Sequence, residues 1–301
     1  MENAKGFVYK KRTTFAKDYV GWQIYAAIQL VSSTLPLMVT YWVADIIGEC
    51  LYVFARGDRR KIYNNLRVAL RLKEPTLTVY ARRIFRNFCR NIVDFLRFSK
   101  YDEEWFERYV EVAGKEHVEK ALSLQKGVII ISGHLGSCEI AALAIRFCGF
   151  TINGIWASHE DPRLEKYFVE PRLKKGIKVI LTGGALAQSL KALAANELVA
   201  FVIDHSYSGK GVEVDFFGRK AIIPQGMAIA ALGSGAPIIP VAAVHLPHYR
   251  YRMIFREPIG YSLSGDREKD TREILSSGIK AIERLIREYQ DQWVLFKKYY
   301  L

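Results

Sequence analysis

The sequence is poor in cysteine, and its four, Cys50, Cys89, Cys138 and Cys148, form neither a C-x-x-C pair nor a zinc-ligand spacing. That argues against a disulfide-stapled secreted domain or a structural zinc module and fits reduced thiols facing a cytosol. Internal repeats and low-complexity tracts are missing. So are an RNP-type aromatic strand, a zinc-finger pattern and a recognition-helix arrangement, so nucleic acid is not the expected partner. No H-E-x-x-H appears either. His134, Glu139, His159, Asp204 and His205 are metal-capable types without a ligand spacing, and neither a metal nor another cofactor is expected. Charge is absent from one long stretch, Tyr19 to Ala44, which holds 26 residues.

What is present begins with that stretch. It exceeds the roughly 20 residues a helix needs to span a bilayer. It is too long for the apolar part of a cleavable signal peptide and lacks a clear cleavage site. Ser32, Ser33, Thr34 and Pro36 interrupt it, and Gln23 and Gln29 add polarity. Lys5, Lys10, Lys11, Arg12 and Lys17 precede it; Arg56, Arg59, Arg60 and Lys61 follow. Basic flanks at both ends suit a segment that dips in and returns, or lies in the interface, as well as one that crosses. Trp22, Tyr25, Tyr41 and Trp42 are aromatics of the kind found at headgroup depth. An apolar hairpin buried against the domain is the purely structural alternative.

The whole chain has 301 residues, half of them hydrophobic, and a formal charge of +13 from 44 basic and 31 acidic side chains. Such an excess suits an anionic partner: a membrane surface, a phosphorylated lipid or an acidic carrier protein. We expect residues 1–60 to form an N-terminal membrane-associating helical region and residues 61–301 one large domain. Within residues 78–100, Arg82, Arg86, Arg90 and Arg97 recur at helical spacing over an apolar face of Phe85, Phe88, Ile92, Phe95 and Leu96. These arginines would be solvated, or would rest on anionic headgroups or an acidic carrier.

From residue 127 onward, aliphatic runs alternate with helical stretches. Strands are expected at 128–132, 152–158, 178–181, 198–204, 212–218, 237–246 and 249–259. Helices are expected at 137–149, 165–175 with a break near Pro171, 185–196, 225–235 and 269–291. This order predicts an α/β fold with a central, largely parallel sheet flanked by helices. Ligands of such sheets sit beyond the carboxyl ends of the strands.

GVIIISGHLGSCEI (127–140) delivers His134 off such an end, on a turn bracketed by Gly133 and Gly136. On one regular helix His134 and Glu139 would stand about 140° apart. With His134 on the turn and Glu139 in the following helix, the carboxylate can reach back, fix the tautomer and stabilise the imidazolium. That arrangement suits a general base. Alone, H-x-x-x-x-E is a weak motif, compatible with a capped helix and an incidental histidine. Cys138 lies four residues from His134 and would act as a nucleophile only if a base activated it.

The chain resembles the bacterial lipid A biosynthesis acyltransferase family, within the lysophospholipid acyltransferase superfamily. GVIIISGHLGSCEIAAL resembles its first motif and RRKIYNNLRVAL (59–70) an early Arg-then-Asn-Leu segment. EPRLKKGIKVI (170–180) is similar to an R-x-x-x-G segment, placing Arg172 and Gly176. VAFVIDHSYSGKGVEVDFFGRKAIIPQGMAIAALGSGAPIIPVAAV (199–244) carries the acidic loop, V-x-F-F-G and Pro-x-Gly elements, and DQWVLFKKYY (291–300) resembles the Gln-Trp ending. Two positions depart: Asp204-His205 where many members have Asp-Gln, and FKKYY at the end.

The resemblance implies metal-free transfer of a fatty acyl group from acyl carrier protein or acyl-coenzyme A to a hydroxyl of a lipid A-type or other glycolipid acceptor. The place would be the cytoplasmic face of a bacterial inner membrane. His134 would be the base and Glu139 its partner. Arg172 would hold acceptor phosphate or the oxyanion, and Gly136, Ser137, Asp204, Phe217 and Gly218 would contact substrate. For Phe216 and Phe217, ordinary strand packing is the competing reading. Acylation of lysophospholipids or phosphatidylinositol mannosides, or lipid binding without catalysis, are the alternatives.

Overall fold

A computed structural model describes residues 28–156, 162–206 and 208–300. The basic residues Lys5 to Lys17, the aromatics Trp22 and Tyr25, and His159 lie outside them.

A helical segment at 28–34 precedes α1 (Leu37–Phe54), α2 (Arg56–Leu70) and α3 (Thr76–Arg97). After α4 (Glu103–Tyr109), β1 (Val110–Ala113) and α5 (Lys115–Leu122) the main alternation starts. It runs β2 (Val128–Ser132), α6 (Cys138–Phe147), β3 (Ile152–Trp156), α7 (Pro162–Lys174), β4 (Lys178–Leu181), α8 (Ala185–Ala194) and β5 (Leu198–Val202). A hairpin, β6 (Val212–Phe216) and β7 (Arg219–Ile223), leads to α9 (Gly226–Ser234), β8 (Ile238–Leu246), β9 (Arg250–Phe255) and α10 (Arg267–Glu288).

Seven strands make the central sheet in the order β1-β9-β8-β2-β5-β3-β4, parallel at every pair except β8–β9. The expected α/β architecture is therefore present, with β1 and β9, at one side of the sheet, running against the rest. β2 shows why. Val128, Ile129, Ile130 and Ile131 are all buried. Alternate side chains enter opposite layers: Val128 and Ile130 pack with Ile140 and Leu143 of α6, Ile129 and Ile131 with Ile279 and Ile282 of α10. Each contributes roughly 1.5–3 kcal/mol of burial before entropy is counted.

Pro171 does not break its helix. α7 continues to Lys174, and within it the Phe168 carbonyl accepts from the Arg172 guanidinium.

The helical arginines of α3 also find partners other than water or lipid. Arg82 and Arg86 both grip Glu49, Arg90 holds Asp45 with both carboxylate oxygens (2.6 and 2.7 Å), and Arg97 donates to the carbonyls of Ser32 and Leu35. They bind α1 to α3. Contact there is close: a β-carbon on Gly48 would fall 2.7 Å from the Arg86 Cα. Beneath the clamp, the buried Asp94 carboxylate accepts from Tyr41 of α1 (2.5 Å) and Tyr251 of β9 (2.7 Å), and burial pushes its pKa up to about 6. The opposite side of α1 is apolar and exposed, including Met38, Trp42, Val43, Ile46, Ile47 and Phe54.

Candidate active site

β2 ends at Ser132, and Gly133 to Ser137 turn the chain into α6. Only glycine fits at position 136: φ is +66°, and a β-carbon would lie 2.0 Å from the Ala243 carbonyl oxygen. The turn is fastened from three sides. Asn91 Nδ2 of α3 donates to the Gly136 carbonyl (2.7 Å), and Gly136 N donates to Gln292 O (3.0 Å). Val294 N donates to the His134 carbonyl (2.7 Å), and Ser137 N to Ala243 O of β8 (2.9 Å). The Ser137 hydroxyl caps α6 by accepting from Ile140 N at 3.3 Å. Ser137 is thus committed to the helix start, and Gly136 to the turn.

The imidazole's carboxylate partner is Asp204, not Glu139. His134 Nδ1 lies 2.7 Å from Asp204 Oδ1, while Asp204 Oδ2 accepts from His134 N (2.8 Å) and from the Trp293 indole (2.9 Å). Sheet topology makes this pair. β2 and β5 are parallel neighbours in register, Ser132 opposite Val202, and each strand delivers one member of the pair two residues later. Asp204 is fully buried. Burial alone would raise its pKa, but the imidazolium charge and the three donors outweigh it and hold the carboxyl below its ordinary range. Burial likewise works to lower the His134 pKa, and the Asp204 charge and hydrogen bond overcome it, so the imidazole sits above its usual value. A carboxylate only accepts, so Nδ1 carries the proton and Nε2 is the nitrogen through which this ring exchanges one.

Glu139 faces the other way because Arg172 takes its carboxylate. Arg172 Nη2 donates to Oε1 at 2.5 Å and Nε to Oε2 at 3.2 Å. The guanidinium is itself walled in, 4.5 Å from the Trp156 ring centroid and 5.1 Å from that of Phe95, and Arg172 is only 3% exposed. Its three nitrogens donate to Glu139 and the Phe168 carbonyl. The expected hook for a phosphate or oxyanion is a buried clamp on the start of α6.

Phe217 and Gly218 form the tight turn of the β6–β7 hairpin, with φ +54° and +72°. Phe217 N donates to Glu283 (2.5 Å), and Phe216 and Phe217 pack against Trp293. They brace the indole that holds Asp204 and stand one layer behind the imidazole. The Cys138 thiol lies 3.8 Å from the Gly133 carbonyl at a solvent-exposed position; the protein packed around it and the Glu139 and Asp204 carboxylates push its pKa up, which works against a thiolate nucleophile. Among the described residues, no group of three or more His, Cys, Asp or Glu side chains is placed to hold a metal ion.

Next to the His134 turn, an apolar cavity of about 100 Å³ opens between α6 and the sheet face. Ser132 and Cys138 line one end and Ile145 and Ile152 the other. Sequence reasoning missed Asn91 and Trp293 as parts of the site. Their signals were an asparagine inside an apolar helix and the Gln-Trp pair near the C-terminus. It also missed Lys297, whose charge works to lower the pKa values of both His134 and His205.

An imidazole clamped by a buried carboxylate at the carboxyl end of a parallel sheet, beside an apolar cavity, defines an α/β protein equipped for general-base chemistry next to an aliphatic group. The chain belongs to the bacterial lipid A biosynthesis acyltransferase family, whose sequence description it matches over residues 9–301. It is 25% identical over 133 residues to the phosphatidylinositol mannoside acyltransferase of Mycobacterium tuberculosis (strain H37Rv), covering 43% of this chain and 42% of that one. The chain therefore spans less than half the length of that relative. It is also 23% identical over 232 residues, 74% of each chain, to the lipid A biosynthesis lauroyltransferase of Escherichia coli K12. The match to a Haemophilus influenzae lipid A biosynthesis acyltransferase is 24% over 191 residues, 61% of this chain and 57% of that one.

Proposed function

We propose that this protein transfers a fatty acyl group from a thioester, on acyl carrier protein or coenzyme A, to a hydroxyl of a glycolipid acceptor. The observation that carries this reading is the His134–Asp204 pair, 2.7 Å long with its carboxylate fully buried. His134 Nε2 takes the proton of the acceptor hydroxyl as its oxygen attacks the thioester carbonyl. The tetrahedral intermediate then expels the thiolate, which recovers the proton from the imidazolium. Asp204 keeps Nδ1 protonated and stabilises the cation in both steps. Backbone N–H groups at the start of α6 are suitably polarised to receive the developing oxyanion. Glu139 and Arg172 fix that helix start. The cavity beside Cys138 takes the acyl chain.

We further propose that α1 rests on a bilayer instead of crossing it, on the cytoplasmic face of a bacterial inner membrane. α1 is long and apolar enough to span. Yet α3 covers one side of it along several turns, and Asp45 and Glu49 are ion-paired at mid-length. A helix docked in this way presents only its exposed apolar side to lipid. Lipid mass spectrometry of cells with and without the gene, and with His134→Ala, tests the reading. One lipid class gaining an acyl chain only with the wild type identifies reaction and acceptor together, whether of lipid A or phosphatidylinositol mannoside type. No lipid changing in any strain would leave a lipid-binding protein.

A further inference from the structure

Strand register divides the apolar cavity into rows. Ile130, Ala200 and Gly154 lie side by side across β2, β5 and β3, while Ser132 and Val202 form the next even row, adjoining the catalytic turn. Trp156 is two residues beyond Gly154, at the level of that second row, yet its indole folds back over Gly154. A β-carbon placed there would lie 1.8 Å from Cζ3 and 2.1 Å from Cη2 of the ring. The other lining residues near this point are small, Ala141, Ala142 and Ala200. The ring reaches into this section from the Gly154 side, opposite Ile130 in the same row, roughly 6–7 Å past the catalytic row at the rise of two strand residues. It is also pinned. The Arg172 guanidinium covers it at 4.5 Å, and Arg172 is itself fixed by Glu139 and the Phe168 carbonyl.

We propose that Trp156 sets the length of acyl chain this protein accepts. An acyl chain entering past Cys138 meets the indole before it can reach Ile145 and Ile152, so the ring, seated on Gly154, is the constriction. A rigid constriction discriminates by sterics. A chain that ends before it binds freely, and a longer one must displace an aromatic ring held by a buried cation. The clamp of Glu139 and Arg172 then has a second consequence: it keeps the ruler still.

The inference rests on the acyl-transfer reading above, and one experiment separates the two. Purified wild type, Trp156→Phe, Trp156→Leu and Trp156→Ala are assayed against saturated acyl-coenzyme A and acyl carrier protein thioesters of graded length, using a membrane lipid extract as acceptor and mass spectrometry as readout. Melting curves identify folded variants. The expected result is a ratio of kcat/KM, long chain over preferred chain, that rises as the side chain shrinks, by at least about tenfold in the smallest folded variant. A ratio that stays flat across folded variants, with the wild type active, overturns the ruler and leaves acyl transfer standing. A wild type that turns over no thioester on any acceptor in the extract removes acyl transfer and the ruler with it. Because the readout is a ratio within one variant, a general loss of activity does not mimic either result.

Discussion

Two carboxylate–cation pairs flank the start of α6, and they differ in what their cations can do. On one side His134 meets Asp204; on the other Arg172 meets Glu139. Both are substantially buried and both carboxylates take several donors. A guanidinium, however, stays charged at every accessible pH and can only hold. An imidazole changes charge near neutrality and can pass a proton while its carboxylate partner stays in place. The same electrostatic device makes a clamp in one position and, on the proposed mechanism, a base in the other, and the cation decides which.

The sharpest way to break this contrast is His134→Ala. Removing the base should lower kcat/KM by about 10³-fold, within the span general-base catalysis covers. The melting temperature should stay within a few degrees, read by calorimetry alongside thioester turnover. Next in size is Asp204→Asn, which should cost about 10²-fold or more because an amide neither fixes the tautomer nor stabilises imidazolium as a carboxylate does. It also carries a pH signature. A base must be neutral to act, so wild-type activity rises with pH through the elevated His134 value. Without the Asp204 charge, burial and Lys297 both push that value down, and the midpoint of the profile should move to lower pH. Glu139→Gln should leave the midpoint in place and lower the rate about tenfold at most, since it disturbs the helix start and not the ring. If Glu139→Gln moved the midpoint and Asp204→Asn did not, the roles of the two pairs would have to be exchanged.

The sequence shows the alternation of the main sheet well, because a strand buried on both faces reads as an unbroken aliphatic run, as VIIIS of β2 does. It shows β1 and β7 poorly. VEVA and RKAII are short and partly exposed, so neither stands out from loop sequence. His134 is legible as a functional residue from its two glycines and its place after VIIIS. Its partner is not, because Asp204 is 70 positions away and becomes a neighbour only when β5 lies beside β2. Local spacing points instead to Glu139, five residues on, and nothing in that spacing reveals that Arg172 takes the carboxylate. The arginines of α3 mislead for a similar reason: their helical spacing is plain, while Asp45 and Glu49 come from a different helix.

Arg172→Ala probes the clamp where it is most a matter of stability. It strands the Glu139 carboxylate and opens space between Phe95 and Trp156, so unfolding free energy should fall by about 3 kcal/mol, measured by denaturant titration. Activity should fall less than with Asp204→Asn, and the pH midpoint should hold.

The smallest predicted effect tests how much the Asp204 side depends on its third donor. Trp293→Phe keeps the ring that Phe216 and Phe217 brace and removes only the indole N–H that reaches Asp204 at 2.9 Å. A buried carboxylate that loses one of its donors is destabilised by about 1–2 kcal/mol. The Asp204 pKa then rises towards its ordinary value, since one stabiliser of the anion is gone. The sign of the stability change follows. A group whose folded pKa is depressed contributes stability above its unfolded pKa and loses it as pH falls through the folded value. The difference between wild type and Trp293→Phe should therefore be full near neutral pH and shrink in acid, where Asp204 is protonated in both. A difference that is constant from neutral to acid pH would assign the loss to packing of the ring and not to the Asp204 carboxylate.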